Sequence, residues 1–229
     1  MAARSHILIV DDDPDIRKVL QLLLNEHYFV AEAADGAGAV DYIREHPDTD
    51  LVVLDVMMPG MDGIEACGEI RKLSNVPVLF LTAKSAERDR VSAYESGGDD
   101  FLSKPFSQAE LLAKISSLLR RWQQYRGKPE AALNIEGLDL DLEGRRVTSN
   151  GRTMTLTDTE YAILEYLLKN RGSVVTAAEL YEAVWHEKFL SGSGNTVMVH
   201  VLNLRRKIEE NPSKPKILRT VWGRGYQID

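Results

Sequence analysis

The stretch "LVVLDVMMPGMDG", residues 51–63, decides the fold and raises a chemical question. Its four leading apolar residues end on a single aspartate, Asp55, and a Pro-Gly pair and an Asp-Gly pair follow at once. A run that is apolar at every position is typical of a parallel strand covered on both faces. A strand that ends on a carboxylate before a sharp turn presents that carboxylate at a fixed point, where it is suited to act as a nucleophile.

The first half of the chain alternates short apolar runs with helical patterns. The runs lie at 6–10, 28–33, 51–54, 76–81 and 100–103. Apolar residues recur at helical spacing from Ile16 to Leu24 and from Leu111 to Leu119. Strands that alternate with helices predict an α/β fold with a doubly wound, five-stranded parallel sheet.

The second half of the chain is of a different kind. A polar segment with Gly127 and Pro129 predicts a linker, which divides the chain into domains at 1–121 and 133–229 and a linker at 122–132. Period-two segments after the linker are broken by Glu143-Gly144 and Asn150-Gly151, which are hairpin signals.

Helices follow these predicted hairpins. Thr157 and Glu160 have the spacing of a capping box, which begins the first helix. Two more helical segments come next, "TAAELYEAVW" and "TVMVHVLNLRRKIEE", and the chain closes with the hairpin pattern "ILRTVWGRGYQID". This order predicts an α+β domain.

Chemically reactive residues stand where the predicted parallel strands end. They are Asp11, Asp12 and Asp13 after the first strand, Asp55 at the end of the third, Thr82 at the end of the fourth and Lys104 after the fifth. Taken singly, each aspartate is more often a turn or capping residue, Thr82 could be a helix cap, and Lys104 is more often a surface lysine. With strand order 2-1-3-4-5 they converge, and crowded carboxylates favour a divalent cation, most simply Mg²⁺. A lysine and a hydroxyl beside that cation suit the remaining oxygens of a phosphoryl group.

Composition excludes several classes of protein. The chain has 229 residues with 44% hydrophobic content, and its single cysteine excludes an internal disulfide and a cysteine-rich zinc site. The apolar run at 7–10 is too short for a signal peptide, and no run approaches membrane-spanning length. We therefore expect a cytoplasmic protein with no membrane partner.

Four segments together are typical of a known family. They are "ILIVDDD" (7–13), "LVVLDVMMPGMDG" (51–63), "LFLTAK" (79–84) and "GGDDFLSKPF" (97–106). With them, the first half resembles the flavodoxin-like receiver domain of two-component response regulators. The second half resembles the winged-helix effector of the OmpR/PhoB-type subfamily. The resemblance covers nearly the whole chain and implies a phosphorylation-switched, sequence-specific DNA-binding transcriptional regulator, not a turnover enzyme.

The resemblance gives each pocket residue a role. Asp55 would accept a phosphoryl group from a sensor histidine kinase, and Lys104, before a cis bond to Pro105, would bind it. Thr82 would be the switch hydroxyl and Phe101 the switch aromatic, where many relatives carry tyrosine. Without the tyrosine hydroxyl we expect only the inward swing of the ring. The cofactor Mg²⁺ would be held by Asp11, Asp12, Asp55 and the backbone carbonyl of Met57.

The subfamily forms a homodimer on activation through its fourth helix, fifth strand and fifth helix. By that resemblance Arg90 would pair with Glu110 of a second copy. Two further pairs would be Asp99 with Arg121 and Asp100 with Lys114. Exposed ion pairs contribute roughly 0–1 kcal/mol each, so they would set register more than affinity. The plainer interpretation is that these charges only solvate helix faces.

The net charge of −7 argues against a nucleic-acid partner, but the region 195–224 is locally basic. The segment 196–210 has an apolar face at Val197, Val201, Leu204 and Ile208, which leaves its other faces for a major groove. Arginine and lysine on those faces would neutralise phosphates. The candidate DNA contacts are Asn195, His200, Asn203, Arg206 and, at a hairpin tip suited to a minor groove, Arg224. Trp222 and Tyr226 are expected in the core of that hairpin.

Two effector domains in one dimer would favour tandem half-sites in double-stranded DNA, about one helical turn apart. The side chains of Met198 and Leu202 have two open placements, against a thymine methyl group or in the protein interior. The segment 186–194 lies where the subfamily often meets RNA polymerase, which is therefore a candidate partner.

Two other functions compete with this reading. A haloacid-dehalogenase-type phosphatase would use the Asp-x-Asp of "ILIVDDD", Thr82, Lys104 and a late Asp99-Asp100 pair. It leaves the Asp55 turn unexplained and gives residues 133–229 no role. Repeated turnover of p-nitrophenyl phosphate would favour it. The other is a regulator that binds DNA without phosphorylation, against which the intact set of acidic residues argues.

Overall fold

A computed structural model describes residues 4–82, 94–125, 133–135, 138–141, 146–149, 152–190 and 193–229. The chain divides into two compact units, Met1–Trp122 and Gln123–Asp229. Across the described residues, no helix has both the length and the apolar character that crossing a bilayer requires.

The first unit is a parallel sheet with helices on both faces. Its strands are β1 (His6–Val10), β2 (Phe29–Ala33), β3 (Leu51–Asp55), β4 (Val78–Thr82) and β5 (Asp100–Ser103). They lie in the order β2-β1-β3-β4-β5, and every neighbouring pair is parallel. Its helices are α1 (Pro14–Leu24), α2 (Gly36–Glu45), α3 (Gly63–Leu73) and α4 (Gln108–Tyr125). The predicted doubly wound topology is confirmed.

The apolar strands are buried because both of their faces are covered. Leu8 and Val10 of β1 point into a core shared with α2 and α3, and the alternate residues Ile7 and Ile9 point into a core shared with α1 and α4. All five residues of β3 are buried, Asp55 included. Burial on both faces explains why these runs lack polar alternation.

The turn after Asp55 follows from two residues of the opening stretch. The Asp62 side chain accepts a hydrogen bond of 2.8 Å from the Glu65 N–H and caps α3. A Cβ atom on Gly63 would lie only 2.1 Å from the backbone oxygen of Asp55. Glycine at the first position of α3 therefore lets this helix pack directly against the end of β3.

Helix α4 continues into the first residues of the predicted linker, 122–132. Residues 122–125 continue α4 to Tyr125, and Trp122 is buried. Trp122 lies three and four residues after Leu119 and Leu118, so it extends the apolar face of the helix by one turn. The rest of the predicted linker, 126–132, lies outside the described residues.

The second unit joins two antiparallel sheets to three helices. Strands β6 (Leu133–Ile135), β7 (Leu138–Asp141), β8 (Arg146–Ser149) and β9 (Arg152–Thr155) form one sheet, and β10 (Leu218–Val221) and β11 (Gly225–Ile228) form the other. The helices are α5 (Asp158–Lys169), α6 (Ala177–Trp185) and α7 (Ser193–Ile208). The two predicted turns fall on residues outside the description, but the strands beside them pair antiparallel as expected.

Capping and helical periodicity explain the helices of this unit. Thr157 and Glu160 form the predicted capping box of α5, and Thr176 and Glu179 form a second one at α6. The predicted apolar face of α7 is confirmed, since Val197, Val201, Leu204 and Ile208 lie in the core. Outside this face, Met198 and Arg206 are exposed and Val199 is buried.

Candidate functional site

Three side chains predicted to converge meet at the carboxyl edge of the parallel sheet. The Nζ atom of Lys104 donates to Asp11 Oδ2 at 2.7 Å and to Asp55 Oδ1 at 2.7 Å. Both carboxylates are buried, with 1% of Asp11 and 4% of Asp55 exposed. The peptide bond between Lys104 and Pro105 is cis. One ammonium group therefore bridges two buried carboxylates and balances one of their two negative charges.

Backbone N–H groups fix the orientation of both carboxylates. Asp11 Oδ1 accepts from the Asp13 N–H at 3.0 Å, and Asp55 Oδ2 accepts from the Met57 N–H at 2.9 Å. Each carboxylate thus uses one oxygen for the backbone and the other for Lys104. The backbone turn after Asp55 supplies one of these donors, the Met57 N–H.

The pKa values in the pocket reflect burial and the shared lysine. Burial raises the pKa of Asp55 above its ordinary value, and the nearby charge of Asp11 adds to the rise, while Lys104 and the Met57 N–H oppose it. Burial lowers the pKa of Lys104, but its hydrogen bonds to Asp11 and Asp55 outweigh this, so the pKa is raised overall. The lysine therefore stays charged.

The other predicted pocket residues lie nearby with different exposure. Thr82 is buried at the end of β4, and its backbone oxygen accepts from the Lys104 N–H at 2.7 Å. Asp12 and Asp13 are exposed, and Asp13 caps α1 by accepting from the Asp15 N–H at 2.8 Å. Asp13 is therefore explained as a helix cap.

The donor set suits a hard cation only in part. Asp11 and Asp55 supply facing carboxylate oxygens, the ligand type that Mg²⁺ prefers. Within the described ranges, no three His, Cys, Asp or Glu side chains gather as metal ligands. Asp12 lies next to Asp11 in the chain but is exposed, so a third carboxylate ligand requires a change in its side chain.

Arg17 is a pocket neighbour that sequence reasoning missed. Its Nη1 donates to the backbone oxygen of Asp11 at 2.7 Å, and its Nε donates to Glu32 at 3.3 Å. These bonds tie α1 and β2 to the end of β1, next to the pocket. The sequence gives only one sign that Arg17 lies near the pocket, its position one helical turn after the aspartates.

The switch aromatic Phe101 is half-buried on β5. It lies opposite Phe80 of β4 and meets the Tyr94 ring edge to face, with ring centroids 5.9 Å apart. Phe101 also packs against the core shared with α2 and α3. The Phe101 ring thus packs against the core, which is the simpler alternative to a role in the switch.

Two residues of the expected dimer face bind each other inside one chain. Lys114 Nζ lies 2.9 Å from Asp100 Oδ2, with most of both side chains buried. Glu110 accepts two hydrogen bonds of 2.8 Å from Ser107 at the start of α4, and the backbone bond is the main cause of its lowered pKa. Arg90, the expected partner of Glu110, lies outside the described residues.

The burial of Asp99 and Arg121 does not fit the expected pairing of Asp99 with Arg121 of a second copy. Asp99 is fully buried, where its Oδ2 accepts from Arg71 at 2.8 Å and from the Val78 N–H at 3.0 Å. Arg121 is 2% exposed. Neither side chain lies on a surface that a partner can reach. No sequence pattern had marked Arg71, because its other partners are the backbone oxygens of Ser74, Val76 and Gly97.

The candidate DNA contacts on α7 differ in exposure. Arg206 is exposed and donates to Asn203 Oδ1 at 3.1 Å, and Asn195 is half-buried. Asn203 is 7% exposed and His200 only 1%, with the His200 ring 5.4 Å from that of Trp185. The prediction that His200 and Asn203 touch DNA therefore requires both side chains to become exposed. The interior placement left open for Met198 is excluded, because 52% of this residue is exposed.

Two basic residues expected to neutralise phosphates have structural partners instead. Arg205 donates to the Leu218 oxygen at 2.9 Å and to Thr220 Oγ1 at 2.8 Å. Lys207 donates to the Thr155 oxygen at 3.0 Å and lies 2.6 Å from buried Glu160. The sequence of α7 therefore suggests more basic groups available for phosphates than the structure provides.

The terminal hairpin carries an exposed tip. Arg224 is exposed there, as predicted, and Gly223 before it has a φ of 70°. Tyr226 is half-buried and packs on the core, as expected. The expectation that Trp222 is a core residue is wrong, because 90% of it is exposed. It stands at the turn, where neither strand covers it.

Comparison with known proteins agrees with this architecture. The response regulator receiver domain model matches residues 7–116, and the model "Transcriptional regulatory protein, C terminal" matches 151–228. The chain is 43% identical to the uncharacterized transcriptional regulatory protein YrkP of Bacillus subtilis, over 97% of each chain. It is 41% identical to the regulatory protein VanRc of Enterococcus gallinarum, over 97% of this chain and 98% of that one.

A solved structure extends the likeness to the fold. The response regulator DrrB, a Thermotoga maritima OmpR/PhoB homolog, is 29% identical and matches with a TM-score of 0.51 over 99% of each chain. The chain belongs to the response regulators of two-component systems that join a receiver domain to an OmpR/PhoB-type DNA-binding domain.

Proposed function

We propose that Asp55 accepts a phosphoryl group from a sensor histidine kinase and that this modification controls DNA binding by the C-terminal unit. The observation that carries the proposal is the double hydrogen bond of Lys104, which holds Asp55 and Asp11 at the edge of the sheet. In the transfer, a phosphorus–nitrogen bond of the kinase phosphohistidine breaks as a phosphorus–oxygen bond to Asp55 forms. The Asp55 oxygen not held by Met57 is suited to attack, because it already points into the pocket.

The pocket residues divide the work of binding the phosphoryl group. Lys104 keeps its charge in the pocket and can follow the new phosphoryl oxygens when the Asp55 carboxylate is consumed. Thr82 would donate its hydroxyl to another of these oxygens. Mg²⁺ would be held by Asp11, Asp12, Asp55 and the Met57 carbonyl, and when bound it neutralises the charge of the phosphoryl oxygens.

Phosphorylation would promote a homodimer through the family's fourth helix, fifth strand and fifth helix. The last two correspond to β5 and α4 of this chain. Thr82 and Phe101 would change position on phosphorylation and so act as the switch. The contacts of β5 and α4 support a modified version of the expected ion pairs. Asp100 and Lys114 already neutralise each other inside one chain, so pairing across copies exchanges one partner for another. Asp99 would first have to leave Arg71, which makes its pair with Arg121 the least favoured of the three.

The activated dimer would bind tandem half-sites of double-stranded DNA. In each copy α7 would enter a major groove with Arg206, and Arg224 would reach a minor groove. Asn195, His200 and Asn203 are the further candidates, the last two after exposure. RNA polymerase remains a proposed partner at 186–194. The relatives' printed names describe regulators, which disfavours the phosphatase alternative.

The test is transfer of phosphate to the intact protein. Acetyl phosphate with Mg²⁺ should add one phosphoryl group to the parent chain, located at Asp55 by mass spectrometry of its peptides. Asp55→Asn should add none, and Asp41→Asn, which removes an exposed carboxylate of α2, should behave like the parent. An unmodified parent, or an Asp55→Asn variant labelled as fully as the parent, would refute the assignment.

A further inference from the structure

Arg17 makes contacts beside the pocket that the proposed phosphoryl transfer does not use. Its guanidinium donates through Nη1 to the backbone oxygen of Asp11 at 2.7 Å and through Nε to Glu32 Oε2 at 3.3 Å. Only 17% of the Arg17 side chain is exposed. A guanidinium presents its donors in a rigid, planar fork, so two acceptors, one after β1 and one on β2, fix its position.

The contact with Asp11 holds one peptide group of the acidic segment. A peptide unit is planar, so a hydrogen bond that holds the Asp11 oxygen also sets the direction in which the chain enters Asp12. The Asp11 side chain is held separately, by the Asp13 N–H at 3.0 Å and by Lys104 at 2.7 Å. Arg17 therefore acts on the backbone between two proposed Mg²⁺ ligands, while other groups orient the first carboxylate.

The start of α1 restrains the segment that Arg17 spans. The Arg17 N–H donates to the Asp13 oxygen at 3.1 Å, and the Asp13 side chain accepts from the Asp15 N–H at 2.8 Å. Pro14, at the start of the helix, has a fixed φ. The arginine side chain thus reaches back over a short stretch whose backbone is already restrained, and its bond to the Asp11 oxygen closes the loop.

Glu32 anchors the guanidinium from the edge strand of the sheet. Its carboxylate also accepts a hydrogen bond from Gln21 of α1. Ile9 of β1 lies beside Glu32 in the parallel register, so this anchor stands next to the end of β1. The guanidinium thus bonds a backbone oxygen and a carboxylate outside the pocket. That arrangement suits a support for the pocket more than a ligand for the phosphoryl group.

We propose that Arg17 is a positioning residue for the proposed Mg²⁺ site. It holds the peptide between Asp11 and Asp12, so that the second carboxylate reaches the cation by rotation of its side chain alone. This inference rests on the proposed function, because it concerns the same cation. Groups that orient metal ligands change metal affinity by about 10- to 100-fold, and a group that acts through the ligand backbone belongs at the lower end of that range.

The Mg²⁺ affinity of the full chain, measured without a phosphoryl donor, tests this role. Mg²⁺ is titrated into nitrogen-15-labelled protein, and the dissociation constant is read from the amide signals of Asp13 and Met57, which donate to the pocket carboxylates. Arg17→Met should raise this constant about tenfold. Lys18→Met removes a positive charge from an exposed position of the same helix and should stay within about twofold of the parent.

The direction of the change separates positioning from electrostatics. Loss of a positive charge near a cation site would, taken alone, strengthen Mg²⁺ binding. Weaker binding by Arg17→Met therefore reports the lost orientation of the ligands. Arg17→Lys keeps the charge but lacks the fork, so it holds one acceptor at a time and should give an intermediate loss.

Glu32→Gln tests the anchor while Arg17 stays in place, and it carries the test if Arg17→Met does not fold. It should weaken Mg²⁺ binding less than Arg17→Met does, because the bond to the Asp11 oxygen remains. The double variant should lose no more affinity than Arg17→Met alone, since both residues act through one guanidinium. Thermal unfolding checks that each variant folds, and additive losses would contradict the shared role.

The rate of phosphorylation by acetyl phosphate gives a second readout. At low Mg²⁺ concentration, Arg17→Met should be modified more slowly than the parent. At saturating Mg²⁺ its rate should recover to within about twofold, because Met57 and Lys104 still orient Asp55. A variant with a damaged fold would stay slow at every Mg²⁺ concentration.

The outcomes distinguish this inference from the proposed function. If Arg17→Met binds Mg²⁺ as tightly as the parent or more tightly, the positioning role is overturned and the proposed phosphorylation of Asp55 stands. If Arg17→Met weakens Mg²⁺ binding but the parent accepts no phosphoryl group, the proposed function fails and the positioning role stands. A parent whose Asp13 and Met57 signals do not respond to Mg²⁺ overturns both.

Discussion

Lys104 faces two acids with one positive charge, so the pocket keeps an excess of negative charge in a buried place. Burial is the main cause of the raised pKa of Asp55, and the charge of Asp11 adds to the rise, while Lys104 opposes it. The same arrangement suits the proposed phosphoryl group and cation, because two carboxylate ligands and the counter-charge of Lys104 are in place before either arrives.

Removing the lysine should raise the pKa of Asp55 further. Lys104→Met deletes the hydrogen bond and the charge that lower it, while burial and Asp11 remain. The measurement is a carbon-13 NMR titration of the aspartate carboxyl groups. Lys72→Met, at an exposed position of α3, is the control and should leave Asp55 as in the parent. A fall or no change in the Asp55 pKa on loss of Lys104 would contradict the described contacts.

The raised pKa of Asp55 also predicts how stability depends on pH. A carboxyl whose pKa is raised by folding contributes stability that is present below its unfolded pKa and lost as pH rises through the folded one. Asp55→Asn removes this penalty, so at pH 7 it should unfold at a higher temperature, by roughly 1 kcal/mol in free energy. The gain should vanish below pH ~4, and Asp41→Asn should show no such pattern. Equal stability of Asp55→Asn and the parent at pH 7 would count against the buried charge.

At the scale of elements, the contact between α3 and β3 fixes Asp55. Gly63→Ala would place a Cβ atom 2.1 Å from the Asp55 oxygen, and the helix or the strand end must move. We expect a loss of about 1–3 kcal/mol or more. Gly68→Ala is matched to it, since the same helix has open space there, and should stabilise by up to about 1 kcal/mol. Urea unfolding compares them, and equal effects would show that the close approach does not hold in solution.

Sequence patterns predicted elements and strand ends well, for a physical reason. Apolar periodicity reports which face is buried, and parallel register then brings Asp55 and Lys104 to one edge without further information. The patterns failed where one side chain satisfies distant backbone groups. Arg71 and Arg205 look like surface charges in sequence, yet both hold backbone oxygens far along the chain. The expectation for Trp222 failed for the opposite reason, because apolar character alone does not tell a buried residue from one at an exposed turn.

At the scale of the whole molecule, four basic side chains described in the C-terminal unit already have partners within it. Arg205 and Lys207 bind within the unit, Lys216 lies 3.8 Å from Glu210, and Arg219 pairs with Asp229. With a net charge of −7, one copy should hold DNA weakly. Two linked copies would raise the effective concentration of the second contact, so the proposed dimerisation would control DNA affinity efficiently.

The most direct test of the central claim is DNA affinity measured with and without phosphorylation. The full-length chain should bind selected tandem-site duplex at least tenfold more tightly after acetyl phosphate and Mg²⁺, with a matching rise in dimer fraction. Asp55→Asn should bind with the same weak affinity under both conditions. If the parent and Asp55→Asn bind the duplex equally well whether or not acetyl phosphate is present, phosphorylation of Asp55 does not control this protein.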